Sequence, residues 1–321
     1  MVLSLGDGFP PSVARLLGEA ATGAVRLSAQ RPVWRLPTKT PLVIRRSAQA
    51  ITDPTQAAAD LNWLHAFLED LAATRFLAPR PMPVLAGKSW LIDGGYAWQA
   101  ISYLPGRALM WTPTTELEVV GELLARYRIA SASCRMRRQR PSYQSLMSSL
   151  ALTTLPESAK SSRLRDEDRR RYLSFATEVL DGLREEGFEK EPPGVIHGDP
   201  TVRNIIVAGP AVRIVGLVDF DLAHVDALLA DLAYSLYVSA RKGSQDMALN
   251  LDRFRVIVRG YRSSFPLDAR RIRLLVLLVA SRGLLVVARG TAADRSFSQS
   301  LDRVEWVLGH RQSLEQAASG A

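Results

Sequence analysis

Short apolar, β-branched runs dominate the first third of the chain. They fall at Val25 to Leu27, Val33 to Leu36 and Leu42 to Arg45, and they predict an antiparallel meander behind a helix over Pro11 to Ala21. Asp53-Pro54 marks a helix start, with the carboxylate as N-cap and the proline at the first helical position. Ala57, Leu61, Leu64, Leu68 and Leu71 then share the face of a helix that packs on a sheet. Two further strands, Ser89 to Ile92 and Tyr96 to Tyr103, flank Asp93-Gly94-Gly95, where glycine accepts the positive φ of a tight hairpin.

Beyond Leu104-Pro105-Gly106 the period changes. Helical patterns are expected near Glu116 to Ala132, Asp166 to Glu186, Asp226 to Ala240, Asp252 to Phe265 and Asp268 to Ala288. The division this predicts is a sheet-rich region over 1–103 and a mainly helical region over 104–321. A polar segment from Pro192 to Ala233, with β-branched runs at Ile205 to Val207 and Val212 to Val218, interrupts the helical region. A loop held between rigid elements is where a site is expected.

Composition narrows the reading only a little. The 321 residues are 47% hydrophobic and 23% charged, the profile of a globular protein. The single cysteine, Cys134, allows neither an intramolecular disulfide nor a cysteine zinc site, so a reducing cytoplasm is the expected setting. The N-terminal MVLSLGDGFPPS does not read as a secretory signal, and the apolar stretch Leu274 to Ala288 is broken by Arg282 and too short for a membrane span. No membrane role is expected. The net charge of +9 admits an anionic partner. Nucleic acid is not the expected one, because the arginines are scattered among acids and the cluster Arg135 to Arg140 has no interleaved aromatics.

The polar segment carries the chemistry. His197, Asp199 and Asn204 share one loop, Asp219 ends a β-branched run and Asp221 follows it. Hard oxygen donors at a strand end suit Mg²⁺, which takes few protein oxygens and completes its octahedron with water and substrate phosphates. A carboxylate outside the metal's shell can accept the proton of an attacking hydroxyl. HGD alone reads as a turn. HGD, then an asparagine, then Val-Asp-Phe-Asp is a compound pattern that turn chemistry rarely supplies.

HGDPTVRN, LVDFD and DALLADLA together resemble the aminoglycoside phosphotransferase and choline kinase family, distant relatives of protein kinases. The resemblance is strongest over His197 to Ala233, holds in layout over Val25 to Gly106 and fades in the C-terminal helices. It implies an α+β, bilobal protein-kinase-like fold, with an N-lobe antiparallel sheet plus helix and a larger helical C-lobe. It implies Asp199 as catalytic base, Asn204 and Asp219 as Mg²⁺ ligands and His197 as the residue that organises the loop. Asp231 is then a structural acid. Arg45 in LVIRR takes the place of the phosphate-contacting strand lysine, and Asp60 is the nearest acid to orient it. Ser102, Tyr103 and Leu104 would form the hinge that pairs with the purine edge.

The implied reaction moves the γ-phosphoryl of ATP or GTP to a hydroxyl of a small acceptor. The basic balance favours a neutral or anionic acceptor over a polycationic aminoglycoside, whether an antibiotic, a sugar or an amino-alcohol metabolite. The loop Arg135 to Leu155 and the C-terminal helices would build the acceptor pocket. Arg45 and Asp60 depart from the usual residues and keep a catalytically silent, kinase-like binding protein open. A true protein kinase is disfavoured, since the turn Ser28-Ala29-Gln30-Arg31-Pro32 carries no glycine-rich loop.

Overall fold

The computed structural model describes residues 9–28, 31–110, 113–135, 138–142, 165–209, 212–241, 243, 246–288 and 294–320. Most of the loop Arg135 to Leu155, and Ala29 and Gln30 of the first turn, lie outside the described residues. Two compact units part at Pro105 and Gly106, and residues 134–135 and 140–142 group with the first. The expected boundary after residue 103 lies two residues before this parting, and within the first unit the Tyr103 N–H donates to the Pro41 carbonyl at 3.0 Å.

In the first unit, strands β1 (Val25–Arg26), β2 (Val33–Leu36), β3 (Leu42–Arg46), β4 (Trp90–Asp93) and β5 (Tyr96–Ser102) form one antiparallel sheet in the order β1-β2-β3-β5-β4. Strand alternation gives its two faces different chemistry. Trp34, Leu36, Leu42, Ile44, Trp98 and Ala100 project to one side and pack with Val13 of helix α1 (Pro11–Leu17). Gln99 and its cross-strand partner Arg45 project to the other. That second face meets helix α2 (Pro54–Ala73), whose His65 reaches Gln99, while the Asp53 side chain accepts from the Gln56 N–H as the sequence predicts.

The second unit is mainly helical. It contains a three-stranded sheet, β6-β8-β9, from β6 (Arg107–Ala108), β8 (Ile205–Ala208) and β9 (Arg213–Leu217). It also contains the pair β7 (Pro193–Ile196) and β10 (His224–Ala227). Its helices are α3 (Glu118–Ser133), α4 (Asp166–Glu185), α5 (Ala230–Ser239), α6 (Leu251–Arg262), α7 (Ala269–Ala288), α8 (Asp294–Gly309) and α9 (Arg311–Ser319). Helices α3 and α6 touch backbone to backbone. A Cβ on Gly121 would come within 1.9 Å of the Ile257 carbonyl, and one on Gly260 within 2.0 Å of the Glu118 carbonyl.

The helix expected from Asp226 begins only at Ala230, because His224 to Ala227 pair in register with β7. Helices α8 and α9 were not foreseen. Their apolar residues are thinly spread among polar ones, and only packing against α7 singles out Leu301, Val304, Val307 and Leu314, all fully buried. No helix among the described residues is long and apolar enough to cross a membrane.

Candidate active site

Strand β7 delivers His197, Gly198 and Asp199 into a loop whose backbone is pinned from below by Asp231. The Asp231 carboxylate, in the first turn of α5, accepts from the His197 N–H at 2.7 Å and the Gly198 N–H at 3.0 Å. Burial raises its pKa to about 6, and those two donors pull in the opposite direction. Gly198 sits at φ +82°, and a Cβ there would lie 2.3 Å from the Leu222 carbonyl. No other residue fits that turn.

His197 is fully buried, with its ring 4.5 Å from that of Phe220 between centroids. Its Nε2–H donates to the Val218 carbonyl at 2.9 Å, and its Nδ1 accepts from the Asp199 N–H at 3.2 Å. That pairing requires the neutral Nε2–H tautomer. Burial lowers the pKa to about 4, so the ring is neutral at physiological pH and acts as a bracket.

Asn204 ends a short 3₁₀ turn, Val202–Asn204, directly before β8. Its Nδ2 donates to the Asp199 carbonyl at 2.8 Å and to Asp199 Oδ2 at 3.0 Å. Its own carbonyl accepts from the Val218 N–H at 2.9 Å. Asp219 follows Val218 in a left-handed conformation, φ 68° and ψ 61°, rare for a residue with a side chain and typical of functional sites. Asp199 and Asp219 are both half-buried. Asp221 lies exposed on the next turn.

The structure thus brings His197, Asp199 and Asn204 together and joins them to the strand end that carries Asp219. With the Asn204 amide nitrogen committed to Asp199, its Oδ1 is left as a hard acceptor beside an aspartate. That is a donor set suited to Mg²⁺ bound with phosphates. No group of three His, Cys, Asp or Glu among the described residues could hold a metal without such help.

In the first unit, Arg45 Nη2 donates to Gln99 Oε1 at 3.2 Å. Gln99 Oε1 is also 3.1 Å from His65 Nε2, and His65 Nδ1 is 2.6 Å from Ser89 Oγ. Asp60 is engaged elsewhere. It accepts from Ser142 through both its N–H and its hydroxyl, and it lies 3.7 Å from Arg140 Nε and 3.5 Å from Gln56 Nε2. The expected hinge, Ser102 to Leu104, leads out of β5. The N–H groups of Ser102 and Tyr103 are taken by the carbonyls of Arg80 and Pro41, and the Leu104 N–H makes no bond among the described residues.

Two residues near Asp199 escaped the sequence reading. Burial and the nearby Asp199 charge push the pKa of Tyr234 on α5 up to about 12, and the Arg282 guanidinium lies 4.0 Å from the Tyr234 ring centroid. The one signal was Arg282 itself, a lone charge in the apolar run from Leu274 to Ala288.

The chain is similar to known kinases in sequence and in fold. Over 231 residues, 71% of this chain and 68% of the relative, the sequence is 29% identical to homoserine kinase of Methylobacterium sp. (strain 4-46). The fold is similar to that of a microcompartment-associated aminopropanol kinase, with TM-score 0.65 and 18% identity over 96% of this chain and 97% of that one. It is also similar to that of an amicoumacin kinase solved with AMP-PNP, Ca²⁺ and Ami, with TM-score 0.63 and 15% identity over 94% and 90%. The family model described as phosphotransferase enzyme family, APH, matches residues 26–292, so the chain belongs to that family, whose members share this protein-kinase-like fold.

Proposed function

We propose that this chain is a Mg²⁺-dependent kinase of a small hydroxylated metabolite, with ATP or GTP as phosphoryl donor. The observation that carries the reading is the set of hydrogen bonds linking His197, Asp199, Asn204 and Val218, which fixes the Asp199 carboxylate beside Asn204 and next in the chain to the strand end that carries Asp219. Phosphoryl transfer asks a protein mainly for positioning and electrostatics. Asp199 orients the acceptor hydroxyl and takes its proton. The hydroxyl oxygen forms a bond to the γ-phosphorus while the bond to the β,γ-bridging oxygen breaks, and the nucleoside diphosphate leaves with that electron pair. Asn204 Oδ1 and the Asp219 carboxylate are the groups that would hold Mg²⁺, which when bound neutralises phosphate charge.

On the nucleotide side we assign Arg45 to the phosphates, oriented by Gln99 and His65 in place of Asp60. The Leu104 N–H is the hinge donor left to pair with the base. The homoserine kinases among the sequence relatives support a hydroxy amino acid or amino-alcohol acceptor over an antibiotic. Incubation with Mg²⁺ and ATP or GTP across a panel of hydroxylated amino acids, amino alcohols, sugars and antibiotics tests the reading by mass spectrometry. The expected result is a gain of one phosphoryl group on a metabolite-sized acceptor. Nucleotide that stays intact with every acceptor would leave a silent binding protein.

A further inference from the structure

Strand alternation sends Arg35 of β2 to the face of the five-stranded sheet opposite Trp34 and Leu36, the same face that carries Arg45. Register fixes its place there. Arg35 lies across from Val43, and Val43 across from Ile101, so the three form a row two residues along the strands from the row of Val33, Arg45 and Gln99. The two rows are roughly 7 Å apart. The row with Arg35 is the nearer to the strand end, where Leu42 pairs with Ser102 and the chain leaves β5 toward Leu104.

The Arg35 guanidinium lies 5.4 Å from the centroid of the Tyr103 ring. Among the described residues it has no carboxylate partner and no side-chain hydrogen bond. Val43 and Ile101 beside it are apolar, and each is only 8% exposed. A planar, weakly hydrated cation next to apolar side chains stacks readily on aromatic faces, those of nucleobases included.

We propose, resting on the kinase reading above, that Arg35 is the nucleobase-stacking residue of the donor site. With the phosphates at Arg45, the ribose spans the step between the two rows, and the purine lies beside Val43 and Ile101 with one face against the Arg35 guanidinium and its edge toward the Leu104 N–H. Tyr103 holds the guanidinium at that end of the face. Two arginines of one sheet thus divide the nucleotide, Arg45 taking phosphate charge and Arg35 the π face of the base. That division separates the proposal from a surface contact that only tethers Tyr103 to β2.

Titration of the full chain, in the presence of Mg²⁺, with ATP, GTP and inorganic tripolyphosphate reads the base and phosphate contributions apart. Arg35→Ala should weaken the tighter-binding nucleotide about tenfold and leave tripolyphosphate within about twofold, the scale of a partly desolvated cation–π contact. Arg45→Ala should weaken all three. Arg35→Trp, which keeps a stacking face and loses the charge, should recover part of the nucleotide affinity. Photolabelling of the wild-type chain with the 8-azido analogue of the same nucleotide covers the case in which Arg35→Ala does not fold or tripolyphosphate binds too weakly to measure. Label on the peptide that carries Arg35 is the expected result.

Unchanged nucleotide affinity in a folded Arg35→Ala protein, or an equal loss for nucleotide and tripolyphosphate, overturns the proposal and leaves the kinase reading standing. Label that falls only outside β2 does the same. A wild-type chain that binds neither nucleotide overturns both.

Discussion

Asn204 Nδ2 donates at once to the main-chain carbonyl of Asp199 and to Oδ2 of its carboxylate, at 2.8 and 3.0 Å. The asparagine therefore fixes both the loop and the rotamer of the proposed base. The bonds close into a circuit. Asp199 N–H leads to His197, His197 to the Val218 carbonyl, and Val218 N–H back to the Asn204 carbonyl. Asp219 is next in the chain, so its left-handed backbone is held by bonds that converge on its neighbour.

Replacing the base tests its assigned role. Asp199→Ala should keep nucleotide affinity and lose at least roughly a hundredfold in turnover, the usual scale for a general base. Steady-state kinetics beside nucleotide titration separates the two quantities, and wild-type turnover in this variant would remove Asp199 from the mechanism.

Asp219→Ala removes a proposed metal donor and none of the hydrogen bonds of the circuit. Nucleotide binding should lose its dependence on Mg²⁺, read by titration calorimetry with and without a chelator. The melting temperature should change little, since losing a half-buried charge offsets the strain of alanine at a positive φ.

His197 and Asp231 predict opposite pH effects on stability. Between about pH 4 and 6.5 the unfolded chain holds the histidine proton and the folded chain does not, so stability grows with pH. Asp231, raised from 3.8 to about 6, holds its proton in the folded state over nearly the same window, so its share shrinks with pH. The two slopes offset each other. In His197→Gln only the Asp231 share remains, and stability relative to wild type should fall by up to about 1.4 kcal/mol per unit as pH rises from 4 to 6. Urea midpoints across that range would show it; a difference independent of pH would contradict a neutral His197.

Glu191 offers a stability test away from the site. Its carboxylate is fully buried among Arg270, Arg271 at 3.3 Å and Arg128 at 3.9 Å. Removing it in Glu191→Ala takes the shared anion from the buried Arg128 and the half-buried Arg270 and Arg271 and should cost about 3–5 kcal/mol. Chemical denaturation reads this directly, and a loss under about 1 kcal/mol would show the arginines to be solvated.

Much of the architecture was legible because local rules wrote it. Short apolar, β-branched runs marked strands β2, β3 and β5, and Asp53-Pro54 marked the start of α2. His197, Asp199, Asn204 and Asp219 were legible as a group because they share one continuous segment, where spacing along the chain is close to spacing in space. The orienting partner of Arg45 was not. Asp60 had the right charge and helix, but its carboxylate is taken by Ser142 and Arg140, and the neutral Gln99 pairs with Arg45 through strand register.

By itself the sequence determined which residues could do phosphoryl chemistry and the turns that present them, since capping, strand alternation and the glycine at position 198 act over a few residues. Tertiary structure alone decided what surrounds them. The Tyr234 and Arg282 contacts near Asp199, the α3–α6 crossing at Gly121 and the burial of α8 and α9 depend on helices far apart in the chain, and no local pattern encodes which of their faces will meet.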